Sequence, residues 1–503
     1  MKPQPEHSPA PVLIIGAGPA GLTAGYELTE NGVPVVILEK DRDVGGLART
    51  VEYKGFRFDI GGHRFFTKVG PVADLWRTML GSDFLKRPRL SRIYYRGRFF
   101  DYPIKPLNAL WNLGVATSVR VVMSCLWIKL FPIRPERSFA DWVSNRFGRV
   151  LFRIFFETYT EKVWGIPCNR IGAQWAAQRI RGLSLKTVVL NMLVPGAFRR
   201  GAAIKSLIEH FEYPRLGPGM MWDAFRERIQ KGGGTLRLNS RIARILHDDS
   251  RITGVEVEHD GTTYIQPADH VISTMPVRHL IQRLHPAAPP AVVDAASRLK
   301  YRDFLTVALI IDQADVFPDN WVYIHDDRVR VGRIQNYKNW SPDMVPDPRF
   351  TCLGLEYFCF AGDGLWSKPD AELIDLATRE LELIGLTAPL LVRDGTVVRA
   401  PKAYPVYDEG YETALEESRR YLERFGNLQL VGRNGMHKYN NQDHSMLTAM
   451  LAARNILGEQ HCLWDVNVDD EYHEEDKSTS KRDARLMTGR LTRGTQPAVP
   501  RFL

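Results

Sequence analysis

Residues 12–46 read VLIIGAGPAGLTAGYELTENGVPVVILEKDRDVGG, and the rest of the chain is arranged around them. The run Val12–Ile15 is a short buried strand. Gly16, Gly18 and Gly21 follow it in G-x-G-x-x-G spacing, and a helix is predicted over 20–31. The spacing has a mechanical reason. One glycine makes the tight turn, one lets backbone approach a pyrophosphate, and one lets the helix pack on the strand. The helix start then offers N–H groups and a positive dipole end to phosphate. A second strand, Val35–Leu38, ends in Glu39, an acid placed to grip a ribose 2′-OH, so an unphosphorylated ribose is expected. A glycine triplet also occurs in unrelated α/β turns. Strand, turn, helix, strand and acid within one βαβ unit is the context that gives it meaning.

Two further features turn the reading from a nicotinamide dinucleotide towards FAD. Gly45-Gly46 follows Glu39 closely, with Arg49 just beyond, and Phe58-Asp59-Ile60-Gly61-Gly62-His63 comes next. With these the sequence resembles the glutathione-reductase-like flavoproteins of the amine oxidase, phytoene desaturase, protoporphyrinogen oxidase and UDP-galactopyranose mutase group. The resemblance implies that Gly45, Gly46, Leu47 and Arg49 line the FAD pyrophosphate and ribityl chain, with Ala20 and Lys40 beside them. It also implies that Gly61, Gly62 and His63 lie at the isoalloxazine ring, a segment that resembles the mutases in particular. Read on its own, His63 fits either a buried histidine after a bend or an active-site residue.

At 503 residues the chain is too long for one hydrophobic core, so at least two domains are expected. The net charge of +9 lies on the folded body, because the tail from Asp469 carries about equal numbers of acids and bases. A basic body suits an anionic substrate or an anionic membrane surface. Basic and aromatic residues interleave over 86–102, a pattern that can bind nucleic acid. A half-buried hairpin turning at Arg96-Gly97-Arg98 explains it better, and no nucleic-acid partner is expected. Cys125, Cys168, Cys352, Cys359 and Cys462 are odd in number and irregular in spacing, which indicates neither a disulfide framework nor a metal site. The first eleven residues lack a charged-then-apolar signal pattern, and a cytoplasmic location is expected.

Along the chain, helix is predicted over 66–81 and 111–131. The second is the most apolar long stretch, yet its charge-free run from Val121 to Ile128 is far below the ~20 residues that span a bilayer. It reads as a core helix of a second domain. The alternative is a monotopic helix dipping into the inner face of a membrane with Arg120 and Lys129 snorkelling. Strands are predicted over 241–245, 254–258, 271–276, 305–312, 321–324 and 427–431, and helices over 220–231 and 443–456. Residues 190–206 read as a mobile basic loop. From Glu471 onward, acids, then Ser/Thr, then bases predict a disordered tail.

Several of these segments extend the family resemblance. KVWGIP at 162–167, with Trp175, Arg179 and Arg181, resembles the mutase substrate domain, where an arginine matching Arg179 holds a diphosphate. A permanently charged planar guanidinium suits that task; a surface ion pair is the plain alternative. Tyr102, Tyr323 and Tyr404 are implied at the substrate, and Arg333 near flavin and sugar. Ile242 is implied on the adenine side. Gly432, Arg433, Asn441, Gln442, Asp443 and Ser445 are implied at the flavin, where a helix start faces its pyrimidine edge, although Asp443 reads equally as a helix cap. One departure stands out. Most mutases place a second diphosphate arginine at the end of the strand that here reads Val307-Ala308-Leu309-Ile310-Ile311-Asp312, with no cation.

The expected fold is α/β: a glutathione-reductase-like Rossmann domain binding non-covalent FAD (1–68, 213–275 and 405–465), a discontinuous mixed α+β substrate domain (69–212 and 276–404), and a tail (466–503). The resemblance implies an enzyme acting on a nucleotide- or polyprenyl-phosphate-linked sugar. Pyranose–furanose ring contraction would run through a flavin N5–sugar adduct formed by reduced FAD, with His63, Arg333 and Tyr439 in the catalytic roles. The alternative is an FAD-dependent oxidoreductase of desaturase or amine oxidase type on a hydrophobic substrate. The partner expected is a small anionic or lipid-linked molecule, with peripheral membrane association if the helix over 111–131 dips.

Overall fold

Glycine and β-branched residues alternate in blocks near the start of the chain, and the backbone follows them. The computed structural model describes residues 10–102, 104, 106–173 and 209–467. Strand β1 (Val12–Ile15) and strand β2 (Val35–Leu38) pair in parallel, joined by helix α1 (Pro19–Glu30). Gly16 sits at φ +99°, and a Cβ there would lie 2.1 Å from Thr274 Oγ1. A Cβ on Gly21 would lie 1.8 Å from the Gly16 carbonyl oxygen, so that position serves the packing of α1 on the strand end.

The parallel sheet has five strands, in the order Leu428–Leu430, Val271–Ser273, β1, β2, Thr235–Arg237. Three separate passages of chain build it. Its three central strands are buried on both faces, against α1, helix Gly219–Lys231 and helix Gln442–Ile456, in one core that includes Trp76 and Trp222. Continuous apolar runs such as VLII and VVIL suit a sheet covered on both sides. A four-stranded mixed layer (Thr262–Pro267, Ile252–His259, Ser240–His247, Leu284–His285) attaches beside it, its first three strands antiparallel and Leu284–His285 parallel to its neighbour.

The other large layer is a seven-stranded sheet in the order Val392–Pro405, Tyr301–Ile311, Thr351–Cys359, Arg333–Asn336, Trp321–Ile324, Ser91–Tyr95, Arg98–Asp101. The hairpin expected over 86–102 is its edge: Ser91–Tyr95 pairs in parallel with Trp321–Ile324, and Arg96 and Gly97 take positive φ at the turn. Residues Phe84–Pro88 form a separate pair with the return strand His210–Pro214. Asp59, fully buried, ties these elements together. It accepts from Tyr213 Oη at 2.6 Å and Thr50 Oγ1 at 3.0 Å, while Tyr337 Oη donates to its backbone carbonyl at 2.7 Å.

Two helices differ from the sequence expectation. The one expected over 66–81 runs Gly70–Leu80, because Pro71 in the first turn fixes its start. The stretch 111–131 is not a core helix. It is split by Gly114 at φ +77° into Pro106–Leu113 and Val115–Leu130, and only Val121, Cys125 and Ile128 of the second helix are buried. Among the described residues no helix is long and apolar enough to cross a membrane.

Candidate active site

A cleft of about 760 Å³ runs from the C-terminal ends of β1 and β2 to the face of the seven-stranded sheet. Two glycines of the wall approach each other closely: a Cβ on Gly46 would lie 3.3 Å from Gly18 Cα. The start of α1 opens into this gap with Gly18 as N-cap, Pro19 in the first turn and no acidic side chain to offset the dipole. Gly16, Ala20, Leu47, Arg49 and Gly432 line the same region. Gly21 and Gly45 are not on the cleft wall. Gly45 is a turn glycine at φ +92°, with Trp222 packed where its Cβ would be.

At the β2 end, Glu39 accepts from the Ala17 amide at 2.7 Å and the Asp41 amide at 2.9 Å. Its burial raises the carboxyl above the usual range, against those two amide bonds. Two bonds leave a carboxylate lone pairs for further donors, such as sugar hydroxyls. Lys40 and Ile242 flank it on the wall.

At the other end the GGH segment turns into the cleft. Gly61 sits at φ +92°, and a Cβ on Gly62 would lie 2.8 Å from Gln335 Nε2, so backbone and the neighbouring sheet meet here without side chains between them. His63 Nε2 lies 2.9 Å from the Ile60 carbonyl oxygen. Burial, and then the nearby Arg433 and Arg333 cations, lower this imidazole to about 4, so it is neutral at pH 7. Asn441, Gln442, Asp443 and Ser445 bring the start of helix Gln442–Ile456 to the wall. Asn441, not Asp443, holds the N-cap position.

Facing His63, Arg333 and Glu356 form a buried ion pair across the register of their two strands, and Gln335 Nε2 donates to the same carboxylate at 2.7 Å. Burial opposes the charge on Arg333, but the Glu356 carboxylate beside it outweighs that and holds the guanidinium well above its ordinary value. Tyr404 and Tyr439 stack at 5.6 Å. Arg433 lies over both rings, 5.5 and 4.9 Å from their centroids, and donates to the Asn440 and Ala403 carbonyls. Tyr323 lines the cleft, with Tyr102 packed behind it at 5.0 Å. Tyr102 itself is solvent-exposed and is not on the wall.

Trp175, Arg179 and the loop expected over 190–206 lie outside the described residues. A residue that sequence reasoning missed is Arg64, whose guanidinium sits 5.4 Å from the Trp321 ring on the cleft wall. The place of Arg64 directly after His63 was the available signal. Burial, with Arg89 and Arg333 nearby, lowers it to about 10, so it still carries its charge at pH 7. Arg89 lies over the same ring at 5.4 Å. Arg302, in the strand that lacks the expected cation, donates instead to the carbonyls of Val163, Lys162 and Phe358.

Three buried side-chain oxygens on the wall, Gln335 Oε1, Asn434 Oδ1 and Gln442 Oε1, accept no hydrogen bond among the described residues. Together with the bare glycine gap and the ribose-ready acid, they fit a long dinucleotide that carries donors at one end.

The flavin containing amine oxidoreductase family model matches residues 19–389. The chain belongs to that family. It is a flavoenzyme, and a FAD-type flavin is its cofactor. Among curated relatives, the phytoene desaturase (lycopene-forming) of Pantoea ananas is 25% identical over 307 residues, 55% of this chain and 58% of that protein. The 4,4′-diapophytoene desaturase of a Methylomonas species is 44% identical over 284 residues, 49% of this chain and 50% of the relative. The chain thus spans little more than half the length of these relatives. Among solved structures, a reduced UDP-galactopyranose mutase superposes with a TM-score of 0.76 at 23% identity, covering 89% of this chain and 94% of the other. A putative protoporphyrinogen oxidase from Exiguobacterium sp. 255-15 gives a TM-score of 0.68 at 18% identity, covering 90% and 100%. These likenesses establish the fold; the chemistry rests on the site.

Proposed function

We propose that this flavoenzyme interconverts ring forms of a sugar carried on a nucleotide or polyprenyl phosphate, with FAD held non-covalently and active when reduced. The observation that carries the reading is the polar character of the chamber around His63: three arginines (Arg64, Arg333 and Arg433) and three tyrosines (Tyr323, Tyr404 and Tyr439) line it. Hydroxyl-rich anions are matched by such walls, and bare polyenes are not. Reduced flavin, when bound, supplies the electron pair that attack at an anomeric carbon requires.

The protein groups then divide the remaining work. The Gly18–Gly46 gap and the start of α1 hold the cofactor pyrophosphate, and Glu39 takes ribose hydroxyls. His63, neutral and tied to the Ile60 carbonyl, orients the sugar without adding charge beside the flavin. Arg333 is aimed by Glu356 and offers its remaining N–H groups to the sugar or its leaving phosphate. Arg64 takes the place of the cation missing from 307–312. Tyr439, stacked on Tyr404, closes the chamber, and Arg179 and Trp175 keep the phosphate- and substrate-contact roles that the resemblance implies.

The test is redox bookkeeping. Dithionite-reduced protein should interconvert pyranose and furanose forms of a nucleotide sugar with no net consumption of reductant, and oxidised protein should not. The second reading, a desaturase- or oxidase-type enzyme on a hydrophobic substrate, is favoured by the identity to carotenoid desaturases. Stoichiometric anaerobic bleaching of oxidised protein by a polyene or amine, with no turnover of any sugar phosphate, would establish that reading and overturn the first.

A further inference from the structure

We infer that helix Val115–Leu130 is a docking face for the surface of an anionic phospholipid bilayer. The helix is 16 residues long and holds to the body through Val121, Cys125 and Ile128. That contact is tight: Cys125 Sγ lies 2.8 Å from the Phe147 carbonyl oxygen, and a Cβ on Gly148 would lie 2.9 Å from the Cys125 amide nitrogen. The opposite face is apolar and open to solvent. Val115 is 83% exposed, Met123 61%, Trp127 63% and Leu130 73%, and Trp111 on the preceding helix is 86% exposed.

The angular order of side chains selects the partner. At roughly 100° per residue the exposed apolar positions from Val115 to Leu130 fall within an arc of about 140°, and the buried triad lies on the far side. Arg120 and Lys129 fall at the two edges of the apolar arc, one on each side, where long stems can lie along lipid while the cations reach head groups. Between Asp101 and Glu136 the sequence has no acid at all; its charged residues are Lys105, Arg120, Lys129 and Arg134. Among the described residues, neither Arg120 nor Lys129 is in an ion pair. An apolar face with aromatic residues and a cationic rim is the pattern that lies in the plane of an anionic interface. A second copy on a two-fold axis would bring these rims of like charge together, which disfavours self-association.

Co-flotation with vesicles tests this on the full-length, flavin-loaded protein. It should float with phosphatidylcholine:phosphatidylglycerol vesicles and bind pure phosphatidylcholine weakly. Arg120→Gln with Lys129→Gln should weaken the anionic binding by about five-fold per cation removed. Trp127→Ser with Leu130→Ser should lose binding at least about ten-fold with unchanged flavin absorbance. A thiol placed by Met123→Cys in a Cys462→Ser background should react with a water-soluble maleimide in buffer and be shielded by anionic vesicles. Equal binding to both vesicle types, or none, would overturn the inference. A thiol already shielded in dilute buffer would assign the face to another segment of this chain, and shielding that grows with protein concentration would assign it to a second copy. Either result would also overturn it.

Discussion

Gly18 and Gly46 approach each other closely on the cleft wall, so a side chain on either should act on the cofactor before it acts on the fold. Gly18→Trp is expected to purify colourless with far-ultraviolet dichroism unchanged, and the flavin content per chain checks it. Asp59 gives a pH prediction. Burial pushes its carboxyl up to about 7, against the hydrogen bonds from Tyr213 and Thr50. The native state therefore holds this proton more tightly than the unfolded chain does. The stabilisation is complete below the ordinary value of 3.8 and is lost as pH rises through about 7. The melting temperature of the wild type should fall between pH 5 and pH 8.5 by more than that of Asp59→Asn, the difference corresponding to roughly 3 kcal/mol at most. Glu356 poses the opposite problem. Removing it leaves Arg333 charged, half-buried and unpaired on the cleft wall, so Glu356→Ala should cost up to about 3 kcal/mol in denaturant unfolding.

At the scale of elements, what the sequence discloses depends on how local the cause is. The glycines of β1–α1 and the GGH turn announce themselves because a positive φ or a close backbone approach needs a particular residue at a particular place. Glu356 and Gln335 give no such signal. They sit in ordinary-looking strands, 21 residues apart, and meet the Gly61-Gly62 backbone only because sheet register brings them there. The helix Val115–Leu130 departs from its expected place for a different reason. Its apolar content is that of a core helix, and which face is covered depends on neighbours far along the chain. Its buried triad at i, i+4 and i+7 and the absence of acids are the readable clues. The attachment of this helix has a test of its own. Gly148, at φ +81°, leaves no room beside Cys125, so Gly148→Ala should lose about 1–3 kcal/mol while leaving the flavin spectrum intact.

At the scale of the molecule, the cleft is walled by both large sheets, so cofactor and fold support each other. Stripping the flavin should lower the melting temperature, and free FAD at a hundred times its dissociation constant should restore about 2.7 kcal/mol. Calorimetry with and without added FAD measures it. The order of the parallel sheet has a consequence for biosynthesis. β1 emerges from the ribosome first, yet one of its neighbours is Val271–Ser273, whose own far side waits for Leu428–Leu430. At about 5–20 residues per second, tens of seconds pass between the first of these strands and the last. During that interval the nascent chain displays an apolar, unpaired strand edge that only its own C-terminal half can cover. A trigger-factor-like or Hsp70-like holdase is therefore expected to engage it, and a ribosome stalled before residue 428 should present a protease-sensitive chain unable to retain flavin.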